Sequence, residues 1–161
     1  MGSLKTLAGN ISLNKLLSSY DLIVIPSSPN MKVFNGVSKI ILQSVGFKKI
    51  EKYIDYKYKS DNYMKKGDIR ITPGFNLKRD IMFVRFPINE NSNSLKELLN
   101  TIKEILFLIN LNGYSNILIT DLNLSLNGFN PKKNMKKIYE ILKEFAIKKD
   151  KNIDIYFLTR N

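Results

Sequence analysis

The sequence predicts an α/β protein built around a largely parallel sheet. Short, continuous apolar runs alternate along the chain with longer stretches in which apolar residues recur every three or four positions. The first pattern is typical of strands buried on both faces, and the second is typical of amphipathic helices. The second half of the chain, from residue 81, has the order strand, helix, strand, helix, strand, which favours parallel strands joined by right-handed crossovers.

The first half of the chain predicts two strands and three helical segments. Residues 4–10 are a candidate edge strand that runs into a Gly-Asn turn, and residues 12–20 place leucines on one helical face. The run DLIVIP at 21–26 is apolar after its first residue and closes on a proline, as expected of a buried strand. Residues 37–46 carry a helical stripe that stops at a glycine, and the Lys- and Tyr-rich residues 47–66 indicate a short helix and a loop.

The second half begins with two strands and the clearest helix. Residues 68–72 and 81–87 are predicted to pair as an antiparallel hairpin with a long connection, because a Pro-Gly turn follows the first of them. Residues 95–113 keep a spacing of three and four between apolar residues and end at a glycine. The remaining elements are a strand at 115–121, a helix at 131–150 that begins with a proline, and a strand at 153–159.

Length and composition indicate one globular domain, residues 1–161. The chain has 161 residues and 43% hydrophobic residues, which is enough for a core of ordinary size. The longest apolar run, at 105–111, is too short to span a bilayer, and the first residues lack the pattern of a signal peptide. We therefore expect a soluble, cytoplasmic protein with no membrane partner.

The absence of cysteine and histidine excludes several kinds of catalytic and metal site. Neither residue type occurs in the chain, so disulfides, thiolate nucleophiles, Ser-His triads and His/Cys zinc sites are excluded. A magnesium ion held by carboxylates is still allowed, but no cluster of acidic residues indicates one. We expect no metal and no cofactor.

The positive charge has two interpretations. A net charge of +12 and a pI near 9.8 favour polyanionic partners such as nucleotides or nucleic acid. The lysines, however, are spread along the whole chain together with many Asn and Ile, as an AT-rich genome would give. The candidate phosphate-contacting lysines are Lys132, Lys133, Lys136, Lys137, Lys143, Lys148, Lys149 and Lys151. The candidate base-stacking residues are Tyr53, Tyr56, Tyr58 and Tyr63, which would otherwise cover the sheet.

Two loops are candidates for a ligand site. Residues 26–36 follow one buried strand and residues 121–133 follow another, and both stretches are polar, contain glycine and lead into a helix. In open α/β sheets, ligands bind where such loops meet, next to free amides at helix N-termini. Neither loop is a P-loop or a GxGxxG fingerprint. Asp121 stands at the end of its strand, and a turn carboxylate is its favoured interpretation because no partner carboxylate is near in sequence.

Several of these segments resemble the macro domain, the ADP-ribose-binding fold. GNIS at 9–12 is similar to the family's GDIT-type turn, and DLIVIPSSPN at 21–30 falls where the family has D-x-I-V-N-A-A-N. FNGVSKII at 34–41 falls on the GGGV segment and its helix. LNLSLNGFNP at 122–131 corresponds to the second phosphate loop, S-x-G-[VI]-[YF]-G.

The middle of the chain carries the strongest part of the resemblance. GDIRITPGFNL at 67–77 is similar to the family's G-x-x-x-x-T-x-G-x-x-L stretch, and IMFVRFP at 81–87 is similar to the H-x-V-G-P strand. No single motif is intact, but order, spacing and strand context agree. The resemblance therefore implies a three-layer α/β/α sandwich with a mixed, largely parallel central sheet.

The resemblance also implies roles for particular positions. Asn10 replaces the Asp that accepts from the adenine amino group, and Ile11 packs beside the base. Ser28 falls on the Asn that holds the distal ribose and, in hydrolytic members, supports catalysis, so no catalytic residue is assigned. Asn30 and Asn35 are the candidates to replace it.

The family's phosphate loops are only partly kept. Of the glycine run, Gly36 remains with Val37 after it, while Phe34 and Asn35 add side chains. In the second loop Ser125 replaces a Gly and Asn127 an aromatic residue. The complete set of candidate ligand-binding residues is Asn10, Ile11, Ser28, Asn30, Asn35, Gly36, Val37, Ser125, Leu126, Asn127, Gly128 and Phe129.

Three functions follow as hypotheses. The first is a divergent macro domain that binds ADP-ribose, an ADP-ribosylated protein or a related nucleotide, with weak or no ADP-ribosyl hydrolase activity. The second is a basic module on the same scaffold that binds single-stranded nucleic acid and has lost ADP-ribose. The third is a retained fold with an unrelated role in protein interaction.

Overall fold

The computed structural model describes residues 2–8, 17, 19–32, 34, 36–148 and 152–159. The strands within these residues are β1 (Ser3–Ala8), β2 (Leu22–Pro26), β3 (Ile69–Thr72), β4 (Asp80–Val84), β5 (Asn116–Ile119) and β6 (Asp154–Thr159). The helices are α1 (Gly36–Val45), α2 (Phe47–Lys57), α3 (Ser94–Leu111) and α4 (Pro131–Lys148), and one 3₁₀ turn covers Phe75–Leu77.

The strands form one mixed sheet in the order β1-β6-β5-β2-β4-β3. Five strands are parallel, and β3 runs antiparallel to β4 at one edge. This arrangement confirms the predicted largely parallel sheet. It also confirms that the two strands around the Pro-Gly turn pair with each other in opposite directions.

The core lies in two apolar layers, one on each face of the sheet. Along β4, Met82 and Val84 belong to the layer shared with α3 and α4, while Ile81 and Phe83 belong to the layer shared with α1 and α2. This alternation follows from the twofold period of side chains along a strand. The molecule is therefore a three-layer α/β/α sandwich, as predicted.

Most predicted elements lie where the sequence placed them, but two strands are shorter. The strand predicted at 81–87 ends at Val84, and Pro87 could not have continued the ladder because it has no N–H. The strand predicted at 115–121 ends at Ile119, which leaves Asp121 in the following loop. The Gly-Asn turn after β1, and the helix predicted at 12–20 except for residues 17, 19 and 20, lie outside the described residues.

The motif at 67–77 proves to be structural. Thr72 and Gly74 lie at the edge of the sheet where the parallel strands begin, and Thr72 is buried opposite Ile81. A Cβ on Gly74 would lie 1.6 Å from the carbonyl oxygen of Arg79, so only glycine fits. This glycine packs the turn between β3 and β4.

Carboxylates fasten the same amino-terminal edge. Asp21 accepts hydrogen bonds from the backbone N–H of Ser115 at 2.9 Å, from the hydroxyl of Ser115 at 3.1 Å and from the N–H of Asn116 at 2.9 Å. The hydroxyl of Tyr114 donates to Asp80 at 2.6 Å. Burial, together with this hydrogen bond, raises the pKa of Tyr114 above its ordinary value. Asp21 thus links the neighbouring strands β2 and β5, and Asp80 links β4 to a residue just before β5, so both carboxylates stabilise the amino-terminal edge of the sheet.

Within the described part of the chain, no helix combines the length and the apolar character needed to cross a bilayer.

Candidate functional site

The two predicted loops leave the sheet side by side. The β2 loop (residues 27–35) and the β5 loop (residues 120–130) follow adjacent parallel strands. The N–H of Thr120 and its hydroxyl both donate to the carbonyl oxygen of Val24, at 3.1 and 3.0 Å. The structure therefore brings both loops together at the carboxyl edge of the sheet, where open α/β sheets bind ligands.

The β5 loop contains a single helical turn that ends in a Schellman motif. The N–H of Phe129 donates to the carbonyl of Leu124 at 2.8 Å, and the N–H of Gly128 donates to Ser125 at 3.1 Å. Gly128 has a φ of 83°, the left-handed conformation that this motif requires. Leu124 and Phe129 are both buried in the same core layer, which is the apolar contact that accompanies such a turn.

This turn sorts the backbone amides of the loop into two groups. The N–H groups of Asn127, Gly128 and Phe129 are used inside the turn. Among the described residues, no acceptor is found for the N–H of Ser125 or of Leu126. These two amides begin the turn, where helical N–H groups have no partner within the helix and are available to an anion.

The apolar side chains of the β5 loop differ in exposure. Leu126 is 79% exposed, whereas Phe129 is 4% exposed and lies in the core. Phe129 therefore anchors the loop from below and does not offer its ring to the surface.

Asp121 and Asn130 close the two ends of the loop. The carboxylate of Asp121 accepts from the N–H of Asn123 at 2.8 Å, as expected for a turn carboxylate. The side-chain oxygen of Asn130 accepts from the N–H of Lys133 at 3.1 Å and caps α4. The favoured interpretation of Asp121 is confirmed, because its carboxylate is bound within the turn.

A third loop, which the sequence pattern did not indicate, supports the β5 loop. The N–H of Asn89, which follows β4, donates to the carbonyl of Asn127 at 2.8 Å, and its side-chain amide donates to Gly128 at 3.0 Å. The contact joins positions 39 residues apart. No local sequence pattern could have indicated it.

The β2 loop is held by a small polar network. The hydroxyl of Ser28 donates to the side-chain oxygen of Asn30 at 3.0 Å, and the N–H of Lys32 donates to both groups, at 3.3 and 3.0 Å. Pro29 lies between them, and its carbonyl accepts from the N–H of Met64 at 2.7 Å. The predicted residues Ser28 and Asn30 therefore lie in direct contact.

The end of the β2 loop turns into α1 through Gly36. This residue has a φ of 56°, and a Cβ built on it would meet no atom of the described residues within 4 Å. Its conformation, and not crowding, therefore favours glycine here. Val37 is partly buried against the core, and the ring of Phe34 packs edge-on against Phe83 at 5.7 Å. The side chain of Phe34 is thus directed toward the core.

The segment 58–66 closes one side of the β2 loop. Beneath it, the buried guanidinium of Arg70 lies 4.2 Å from the ring centre of Tyr58 and 3.7 Å from the sulfur of Met31. Arg85 lies over the ring of Tyr63 at 5.0 Å. These aromatic rings are packed against arginine side chains of the same chain, while Tyr56 is 84% exposed.

The electrostatics of the two loops favour an anion. None of the chain's 14 acidic residues lies between positions 22 and 50 or between positions 122 and 139. The first turn of α4 contains no acidic residue, although acidic side chains are the ones that a helix N-terminus favours. The first two turns carry exposed lysines instead, and these are Lys132, Lys133, Lys136 and Lys137.

A small groove lies between the β2 loop and α2. Met31, Phe34 and Ile54 are among the residues that line it, and its volume is about 30 Å³. This volume accommodates one or two water molecules and is far below that of a nucleotide pocket. Of the other predicted site residues, Asn10, Ile11 and Asn35 lie outside the described residues.

The fold places the chain in the class of three-layer α/β/α proteins. Its mixed six-stranded sheet lies between two helical layers, and the β2 and β5 loops lie side by side at the carboxyl edge of that sheet. Residues 26–138 match the family model described as Macro domain. The chain belongs to the macro domain family. A comparison with curated proteins gave no match.

Solved macro domains have the same fold. A mutant of the Oceanobacillus iheyensis macrodomain with ADPR matches with a TM-score of 0.76 and 18% identity, over 96% of this chain and 84% of the other. The macro domain of ganglioside induced differentiation associated protein 2 matches with a TM-score of 0.77 and 15% identity, over 98% and 77%. The Trypanosoma brucei macrodomain in complex with ADP-ribose matches with a TM-score of 0.71 and 16% identity, over 96% and 63%.

Proposed function

We propose that this macro domain binds ADP-ribose, free or attached to protein, or a related ADP-containing nucleotide, and that it acts in the cytoplasm. Two of the structures that share its fold were solved with ADPR or ADP-ribose. The observation that carries the proposal is the pair of loops at the carboxyl edge of β2 and β5, whose one acidic residue, Asp121, accepts a hydrogen bond within its own turn. They combine backbone donors with nearby lysines, which is the arrangement that a diphosphate requires.

Each part of the ligand has a candidate contact. The amides of Ser125 and Leu126, with the backbone at 35–37, would hold the diphosphate. Asn127 and Gly128 shape that turn through the Schellman motif, and Phe129 anchors it in the core. By the resemblance, Asn10 and Ile11 would hold the adenine, and Ser28 and Asn30 would lie toward the distal ribose.

We expect weak or no ADP-ribosyl hydrolase activity. Ser28 stands at the position of the family's ribose-holding Asn, and its hydroxyl takes part in the hydrogen bonds of the β2 loop. A hydroxyl so engaged is a poor replacement for a carboxamide with two donors. The check is the release of ADP-ribose from a modified protein; a rate equal in wild type and in Ser28→Ala would remove Ser28 from any residual mechanism.

A charge placed beside the loop tests the binding proposal. Leu126 is 79% exposed, so Leu126→Glu should leave the fold intact while adding a negative charge next to the diphosphate. We expect the affinity for ADP-ribose to fall about tenfold, since like charges several ångströms apart repel by roughly 1 to 2 kcal/mol near a protein surface. Isothermal titration calorimetry with ADP-ribose measures this effect.

Two variants control for size and for total charge. Leu126→Gln should keep the affinity within about twofold, because it adds no charge. Leu111→Glu adds the same charge at a leucine that is 67% exposed at the far end of α3, and it should leave binding unchanged. Absence of binding by the wild type at millimolar ADP-ribose would refute the proposed function.

The nucleic-acid alternative rests on the exposed lysines of α4. Its signature would be binding of a short single-stranded oligonucleotide that weakens steeply with salt, because lysine–phosphate contacts release counterions. The same titrations at two salt concentrations separate the functions. Saturable 1:1 binding of ADP-ribose that is weakened in Leu126→Glu favours the nucleotide, and tight oligonucleotide binding without ADP-ribose binding favours nucleic acid.

A further inference from the structure

Asn89 connects the β5 loop to the rest of the protein. It lies in the β4 loop (residues 85–93), which joins β4 to α3. Its backbone N–H donates to the carbonyl of Asn127 at 2.8 Å, and its side-chain NH₂ group donates to the carbonyl of Gly128 at 3.0 Å. Among the described residues, these two hydrogen bonds are the ones that reach positions 123–128 from outside the β5 loop. The conformation of the turn therefore depends on Asn89.

The side chain of Asn89 acts on the loop and not on the core. It is exposed, and a Cβ built on Gly128 would lie 3.5 Å from the Cβ of Asn89, so the two residues lie side by side. A hydrogen bond between two surface loops affects local opening far more than global unfolding. The bond from the side chain to Gly128 therefore stabilises the shape of the β5 loop.

The two carbonyls that accept from Asn89 lie at the end of the single turn of the β5 loop. Carbonyl groups in this position have no partner within the turn and carry the negative end of the peptide dipole. A carbonyl that is released and turns toward a bound diphosphate repels it. The donors of Asn89 cover both oxygens and keep the turn in the conformation that leaves the amides of Ser125 and Leu126 available.

We propose that Asn89 is a positioning residue for the diphosphate and that it acts through the β5 loop. The inference rests on the proposed function, and it adds a residue outside the two ligand loops that sets the affinity for the diphosphate. ADP-ribose and ADP both contain this group. The contribution of Asn89 is therefore the same for both ligands.

Calorimetric titration with ADP-ribose and with ADP tests this role. Asn89→Ala removes the side-chain donor and keeps the backbone N–H that donates to Asn127. We expect both ligands to bind about threefold to tenfold more weakly, as for the loss of one hydrogen bond. Asn91→Ala is the matched control, because Asn91 lies in the same loop and accepts from the N–H of Asn93 at 2.9 Å. Among the described residues no hydrogen bond joins Asn91 to the β5 loop, so this variant should bind both ligands as the wild type does.

Asn89→Asp separates hydrogen-bond donation from packing. Aspartate has nearly the shape of asparagine, but a carboxylate cannot donate to Gly128. At pH 7 this variant should therefore bind both ligands at least as weakly as Asn89→Ala. As the pH falls toward about 4, the carboxyl group gains a proton that it can donate, and the affinity relative to the wild type should recover. Asn89→Ala should show no recovery, and comparison with the wild type at each pH cancels the titration of other carboxylates such as Glu90.

Two results would overturn the inference. One is an Asn89→Ala variant that binds both ligands as tightly as the wild type, and the other is an Asn89→Asp variant whose relative affinity does not recover at low pH. If the wild type binds neither ligand, the proposed function itself fails, so the two failures are distinguishable.

Discussion

Gly128 shapes the β5 loop through its backbone conformation. Its φ of 83° lies in the left-handed region, and among the described residues an added Cβ would meet only Asn89, at an ordinary contact distance of 3.5 Å. We expect Gly128→Ala to lower the free energy of unfolding by about 1 kcal/mol, because a Cβ is strained at this φ. Urea denaturation measures this loss.

Asparagine provides the matched comparison at the same position. It adopts the left-handed conformation more readily than alanine, so Gly128→Asn should destabilise less. Alanine and asparagine variants that are both as stable as the wild type would contradict the role assigned to this φ.

At the residue scale, part of the site could be predicted and part could not. The alternation of polar loops with buried strands indicated the loops around Ser28 and Gly128. The packing of Phe129 in the core was missed, although apolar residues on both sides of Asn-Gly are the pattern of a Schellman turn. The support from Asn89 is a contact between distant parts of the chain, so it could not have been predicted.

The first turns of α4 place lysines where a helix favours acidic residues. Lys132 and Lys133 lie at the positive end of the helix dipole. We expect the double variant Lys132→Glu/Lys133→Glu to raise the free energy of unfolding by about 1 kcal/mol while weakening ADP-ribose binding. Thermal unfolding and calorimetry on the same sample measure the two effects.

The other end of α4 gives the control. Lys148 lies in the last turn, 3.9 Å from Glu144, where a positive charge is favourable. Lys148→Glu should therefore lower stability by less than about 1 kcal/mol and leave ligand binding unchanged. If both substitutions shift stability in the same direction, the helix dipole does not explain the effect.

The elements themselves were largely predictable, for a physical reason. Continuous apolar runs such as 21–26 are stable only when both faces are covered, so they specify strands inside a parallel sheet. Strand ends were predicted less well, because they depend on which neighbour continues the ladder. The apolar run beyond Val84 stays buried at Phe86 without being part of a strand.

For the whole molecule, the titratable groups predict how stability depends on pH. The chain has no histidine, so few side chains titrate between pH 6 and 8, and stability should change little there. Burial raises the pKa of Tyr20, Tyr58, Tyr114 and Tyr139. Each folded tyrosine holds its proton more tightly than the unfolded chain does. Their contribution to stability is therefore complete below about pH 10 and falls as the pH rises further.

The variant Tyr114→Phe isolates one of these groups from the titration of the lysines. At neutral pH it should be less stable than the wild type by roughly 1 kcal/mol, because the hydrogen bond to Asp80 is lost. Above about pH 10 the difference should shrink, because only the wild type contains this titrating group. Urea denaturation between pH 7 and 11 measures both curves, and a difference that is constant or grows with pH would contradict the assignment.

The charges at the two edges of the sheet also affect the rate at which an anionic ligand associates. The carboxylates of Asp21 and Asp80 lie at the amino edge, while the lysines at the start of α4 lie at the carboxyl edge with the positive ends of α1 and α4. The positive charge of these lysines and helix ends attracts a diffusing anion to the carboxyl edge. The association rate constant would then carry most of the dependence on ionic strength, while the lifetime of the complex would depend on short-range contacts with the ligand.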